Sequence, residues 1–153
     1  MSATRRRLFL AIAILAVVGI AVSSVSLDHH FRKSKTSYCD FGQAFNCDIV
    51  NRSEYSTVAG VPVALIGILG YAALLAFATF YREKAETPGI LVVGSLGGLG
   101  FALYLTYIEK YVLTVWCILC LSSLAVIASI TLLAVWLLAG SMRRAGNEER
   151  PGA

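Results

Sequence analysis

Four stretches of this sequence, residues 8–27, 55–81, 87–108 and 111–142, run for 20, 27, 22 and 32 residues without one charged side chain or histidine. Each reaches the roughly 20 residues that a helix needs to cross a bilayer core of about 30 Å. Lipid offers no water to backbone N–H and C=O groups, so such runs must fold as helices with internal hydrogen bonds. With 58% hydrophobic residues, 14% charged and a mean hydropathy of +0.74, the chain lies outside the range of water-soluble enzymes. The expectation is an all-α integral membrane protein of one domain over residues 1–153. It is a four-transmembrane-helix bundle with spans near 8–27, 61–81, 88–108 and 112–140, and an exported loop over 28–60 between helices 1 and 2.

Local signals trim the runs. Pro62 is tolerated only in a first helical turn, so the second helix is expected to begin near Val61, with Gly60 letting the chain turn before it. Thr87-Pro88-Gly89 marks the third start in the same way. Gly94 and Gly98 form a G-x-x-x-G pair that lets another helix or a flat ligand approach the backbone, helix packing being the commoner use. The connections at 82–86 and 109–110 are short, which predicts antiparallel neighbours.

The net charge of +4 does not point to nucleic acid, because the 13 Lys and Arg gather at the ends of the spans rather than on one face. Arg5, Arg6, Arg7, Arg82, Lys84, Arg143, Arg144 and Arg150 fall on one side of a four-span layout. Arg32, Lys33, Lys35, Arg52 and Lys110 fall on the other. The excess, led by the triplet before the first span, places both termini in the cytoplasm and the first loop on the exported face. A cleaved signal peptide is the alternative reading of residues 5–26, although the apolar run is long for one. The first loop is exported in either case.

Four cysteines fall as Cys39-x7-Cys47 in that loop and Cys117-x-x-Cys120 near the start of the last run. Two intervening spans return the chain to the same face, so both pairs can meet there. On a helix, residues three apart are neighbours, close enough for a disulfide after modest adjustment, and a helix N-terminus favours the thiolate. Thiol–disulfide exchange is the reading this pattern favours. The alternatives are a four-cysteine zinc site, for which the x7 spacing is poor, and inert buried cysteines. His29 and His30 follow the first span and read as a solvated pair with no metal framework around them. With no ionisable residue inside the spans, proton pumps and carriers of charged substrates lose their usual residues. What remains is an apolar bundle beside a dithiol, suited to a lipid-soluble quinone.

Cys39-Asp40, then Cys47-Asp48-Ile49-Val50, Ser53, Gly60-x-Pro62, Gly67 and the late Cys117-x-x-Cys120 together resemble the vitamin K epoxide reductase family over almost the whole chain. The resemblance implies a four-helix bundle around a quinone (ubiquinone, menaquinone or a vitamin K type) capped by the exported loop. It implies that Cys120 stands next to the quinone with Cys117 as its disulfide partner, and that Cys47 exchanges with Cys117. Cys39 would pair with Cys47 and exchange with a separate thioredoxin-fold (DsbA-like) protein. Ser53 would stand by the active site, its hydroxyl able to polarise a quinone carbonyl or, alternatively, to cap a helix. Asn51 is the other neutral donor, and Val63, Ile66, Trp116 and Leu124 are the expected apolar lining. Val63 and Leu124 stand where the animal enzymes have an asparagine and a tyrosine, which counts against epoxide chemistry.

The runner-up is a DsbB-like oxidase, whose close cysteine pair lies in the first exported loop; here the order is reversed. A non-catalytic membrane protein with structural disulfides or a metal is the alternative of another class. Many bacterial relatives carry a fused thioredoxin-like domain, which is absent here, so the thiol partner is expected to be a separate chain. The expected location is a bacterial inner membrane, with several passes and the active site facing the exported side.

Overall fold

The computed structural model describes residues 2–31, 40–41 and 44–148. Its helices are α1 (Ala3–Phe31), the short α2 (Cys47–Arg52), α3 (Val63–Thr79), α4 (Thr87–Ile108) and α5 (Ile118–Glu148). Among the described residues, three helical stretches are long and apolar enough to cross a membrane: Ala3–Phe31, Thr87–Leu113 and Ile118–Asn147. The fourth apolar helix, α3, has 17 residues, about 25 Å at 1.5 Å per residue. Pro62 stands immediately before its first turn, where a missing N–H costs nothing.

α1 packs against α3 and α5, and α4 against α5 and α3. The shared core contains Phe9, Ile12 and Ala16 of α1, Tyr71, Leu74 and Ala78 of α3, Leu91 of α4, and Ile127, Ile130, Ala134 and Leu137 of α5. In lipid, burial of apolar surface drives little, so close fit between helices must supply the association. Gly19 shows the fit: a Cβ there would come within 2.5 Å of the Tyr71 ring. Gly94 and Gly98 admit Leu74 and Ile127 from the two flanking helices, the packing use expected of their spacing. The outer faces are apolar too, with Val93 72% and Leu132 73% exposed. Such surface is unfavourable in water and suits acyl chains. Ser24, Thr106, Ser122, Ser129 and Thr131 each donate to the carbonyl four residues back, so their hydroxyls are satisfied within an apolar helix.

The two ends of the bundle differ in chemistry. At one end the Arg5 guanidinium donates to the Arg82 carbonyl (3.2 Å) and Arg144 donates to Ser2 Oγ (2.5 Å). The other end carries a small cap. There β1 (Asp40–Phe41) pairs antiparallel with β2 (Phe45–Asn46), α2 follows, and β3 (Thr57–Val58) pairs with β4 (Val61–Pro62). The β3–β4 hairpin turns on Ala59 and Gly60, both at positive φ (52° and 81°), which suits the twist of a two-residue hairpin. Asn46 caps α2, its Oδ1 accepting from the Ile49 N–H at 3.0 Å.

Two expectations are corrected here. His29 and His30 are not a solvated pair: His29 is fully buried with Nδ1 3.3 Å from Asp48 Oδ1, and His30 Nδ1 lies 2.6 Å from the Asn51 carbonyl. Both fasten the end of α1 to α2. The second concerns residues 109–110, which form no connection. Glu109–Leu113 continue α4 as a π-helix, the chain turns at Thr114 (φ 53°), and α5 begins at Ile118 rather than near 112. Glu109 finds a partner inside the bundle, so its charge does not mark a turn.

Candidate active site

After the left-handed turn at Thr114 the chain runs on to α5, and β2 docks on it at Trp116. Asn46 N–H donates to the Trp116 carbonyl (3.1 Å) and Trp116 N–H to the Ala44 carbonyl (2.9 Å). This parallel bridge holds the start of α2 against the start of α5. Cys47 and Cys117, 1% and 0% exposed, consequently share one buried cluster with Val50 and Val115, and Cys120 packs on its edge. Cys47 is disulfide-bonded, whereas Cys117 and Cys120 are free thiols. A disulfide sulfur is no thiolate ligand, so Cys47 supplies no third thiolate for zinc beside Cys117 and Cys120 in this state. Cys39 lies outside the described residues.

Cys117 occupies the residue before α5, and its carbonyl accepts the first helical bond, from the Leu121 N–H at 3.0 Å. The thiol therefore sits at an N-cap, where unpaired N–H groups point outward. The Cys120 thiol foremost, with the N–H groups of Cys120 and Leu119, pulls the Cys117 thiol below its ordinary value against the opposing effects of burial and Glu109. A thiolate held this way is a nucleophile and a stable leaving group for exchange. Asn51, 7% exposed, reaches the same place: its Nδ2 donates to the Cys47 carbonyl (3.0 Å) and faces Cys117 Sγ at 3.9 Å. Its Oδ1 accepts from the Ser26 hydroxyl (2.6 Å).

On the other side of the dithiol lies a cavity of about 370 Å³ between α1, α3, α4 and α5, within the size range of small-ligand sites. Cys120 opens into it; Cys117 does not. Of the residues singled out in the sequence, Asn51, Ser53, Val63 and Ile66 line it, and Trp116 and Leu124 do not. Trp116 is held instead in the bridge to Phe45. The Ser53 hydroxyl lines the cavity and donates to the Val50 carbonyl (2.8 Å) at the end of α2.

Two lining residues escaped the sequence reading. Tyr71 of α3 brings its hydroxyl to Ser123, 3.0 Å from the carbonyl and 2.9 Å from Oγ. Nothing in the sequence links these positions, which are 52 residues apart. Glu109 is the other. It is 1% exposed, and its Oε2 accepts from the Cys117 N–H at 3.0 Å. One carboxylate oxygen and the sulfurs of Cys117 and Cys120 lie within 4.8 Å of one another. Gly94, Gly98, Ala102, Leu105 and Glu109 recur at helical spacing along α4 and all line the cavity. That stripe was a signal for Glu109 available in the sequence.

The family model described as Vitamin K epoxide reductase family matches residues 10–135. The chain therefore belongs to the vitamin K epoxide reductase family, and with it to the membrane oxidoreductases.

Proposed function

We propose that this member of the vitamin K epoxide reductase family is a quinone-dependent thiol–disulfide oxidoreductase that supports disulfide formation outside the cytoplasm. Electrons enter from a separate thioredoxin-fold partner at Cys39, which the resemblance to the family pairs with Cys47. They pass from Cys47 to Cys117 and leave through Cys120. One observation carries the reading: the Cys117–Cys120 pair has Cys47 against one side and an apolar cavity against the other. A conduit from a water-soluble thiol to a lipid-soluble acceptor needs that arrangement.

The cavity fits a quinone. Its walls are mostly apolar, Gly97 of α4 has open space beside it, and the hydroxyls of Ser53, Tyr71 and Ser123, each able to turn from its present partner to a quinone oxygen, stand around it. When bound, a quinone accepts two electrons and two protons. The protein residues hold the ring away from water, orient it on the Cys120 sulfur and offer hydrogen bonds to its oxygens. Cys117 closes the disulfide with Cys120, and Cys47, delivered by the β2–Trp116 bridge, opens it again.

The proposed layout is a single membrane domain over 1–153 of four spans, α3 being the second, in a bacterial inner membrane. Both termini and the arginine end lie in the cytoplasm by the positive-inside rule. Loop 28–60 and the dithiol lie on the exported side. The test is anaerobic: purified protein, a reduced thioredoxin-fold protein and a quinone, with quinol followed by absorbance. Quinol should form with the parent protein and cease with Cys117→Ala or Cys120→Ala. Cys39→Ala should block the protein partner while a small membrane-permeant dithiol is still oxidised. Quinol formation by the Cys120→Ala protein at the parent rate would overturn the scheme.

A further inference from the structure

The dithiol holds two protons as well as two electrons, and the hydrogen bonds of the site leave one group placed to carry a proton. Glu109 stands at the first residue of the π-helix, a wide turn of a kind found mostly at functional sites. Its Oε2 is engaged by the Cys117 N–H, while Oε1 is buried without a hydrogen-bond partner among the described residues. A buried carboxylate oxygen left unpaired is costly. The bond to the Cys117 N–H alone does not explain a carboxyl, since an amide would make it as well. In a capping box, a glutamate from the helix itself reaches back to the N-cap N–H. Here the acid comes from the preceding helix and borders the cavity and the sulfurs at once.

The titratable groups facing Glu109 are the two thiols. Tyr71 and His30 line the same cavity, the first bonded to Ser123 and the second to the Asn51 carbonyl. Lys110 is exposed, with its ammonium over the Tyr111 ring.

We propose that Glu109 is a catalytic base and acid that takes the Cys120 thiol proton and delivers it to the quinone. The inference rests on the quinone reading above. The dithiol and a quinone become a disulfide and a quinol. Glu109 removes the proton from Cys120 and Cys117 loses its own to the exported side. Joining the two deprotonated sulfurs in an S–S bond releases two electrons, which pass to the quinone, and Glu109 returns its proton to a quinone oxygen. The second oxygen is protonated from the exported side, so two protons and two electrons are conserved.

Glu109→Gln keeps the size and the acceptor for the Cys117 N–H but cannot carry a proton. General base catalysis of this kind is worth about 100-fold or more, so quinone turnover at pH 7 should fall by about that factor. Glu109→Asp should retain part of the rate and guards against a variant that fails to fold. The other readout needs no quinone: alkylation of Cys120 by N-ethylmaleimide in the anaerobically reduced protein, measured against pH. Removing a carboxylate from beside the thiol should move the half-maximal pH of alkylation down by about one unit; a carboxyl that stays protonated, and so cannot act as a base, would leave it in place. Glu109→Gln turnover within threefold of the parent, or an unmoved alkylation profile, would overturn the proposal. If the parent reduces no quinone at all, the functional reading fails, and the alkylation profile still decides whether Glu109 is an ionised neighbour of Cys120.

Discussion

Asn51 should control delivery of Cys47 to Cys117 rather than quinone binding, because both ends of its amide are already used. Nδ2 serves the Cys47 carbonyl and Cys117 Sγ, and Oδ1 receives the Ser26 hydroxyl. Asn51→Ala removes the strong link to α1 and the weaker one to sulfur. The links from His29 to Asp48 and from His30 to the Asn51 backbone carbonyl remain. A neutral hydrogen bond contributes about 0.5–1.5 kcal/mol net, and a buried group stranded by the substitution adds to the cost. Ser26 can rotate to another acceptor, so about 2 kcal/mol is the expected loss in docking of α2, or roughly 30-fold in the docked fraction. The assay reduces the outer pair with a thioredoxin-fold protein, quenches in acid and counts alkylated cysteines by mass. Transfer from Cys47 to Cys117 should slow about 30-fold. Oxidation of a small dithiol that reaches Cys117 directly should change by less than about threefold, and the KM for quinone should hold. Equal slowing of both routes, or transfer at the parent rate, would refute the reasoning.

Ser53→Ala should lower quinone turnover several-fold while the Cys117–Cys120 disulfide still forms; turnover equal to the parent at limiting and saturating quinone would leave Ser53 only its bond to Val50. Tyr71→Phe strands Ser123 and should cost about 1–2 kcal/mol, read as a lower unfolding midpoint in detergent. Gly19→Ala forces a methyl into the Tyr71 ring and should cost about 1–3 kcal/mol by overpacking; an unchanged midpoint would contradict the tight α1–α3 contact. A membrane-impermeant thiol reagent applied to reduced cells from outside should label Cys39 and Cys47, and labelling only from the cytoplasmic side would reverse the proposed orientation.

The helices were legible because their signal is local. Uncharged runs of membrane length announce themselves, and Pro62 fixed the start of α3 to within a residue or two. The cap was legible only as a loop. His29, His30, Asn51 and Ser26 acquire their partners from α1 meeting α2, a tertiary event that leaves no periodic trace. Glu109 was missed for a different reason. A Glu-Lys pair between two apolar runs is the usual mark of a turn, and the competing signal, its place on the glycine stripe of α4, becomes visible only if the helix is allowed to continue through it.

That continuation also explains the lining. With a helix starting near residue 112, Trp116 would stand one turn before Cys120 and share its face. Because the π-helix uses the residues up to Leu113, α5 starts at Ile118 and Trp116 becomes extended backbone bonded to β2. Cys117 then falls on the N-cap and Cys120 on the third helical residue. The two sulfurs of a C-x-x-C at such a position are neighbours and yet face different environments. Cys117 is turned toward the docked α2 and its Cys47, and Cys120 opens into the bundle. A C-x-x-C placed mid-helix would keep the sulfurs adjacent on one face but would leave Cys117 without the free N–H groups of a helix start. The late C-x-x-C therefore depends on where the preceding helix stops, and Glu109, bonded to the Cys117 N–H, is the residue that ties the two helix ends together.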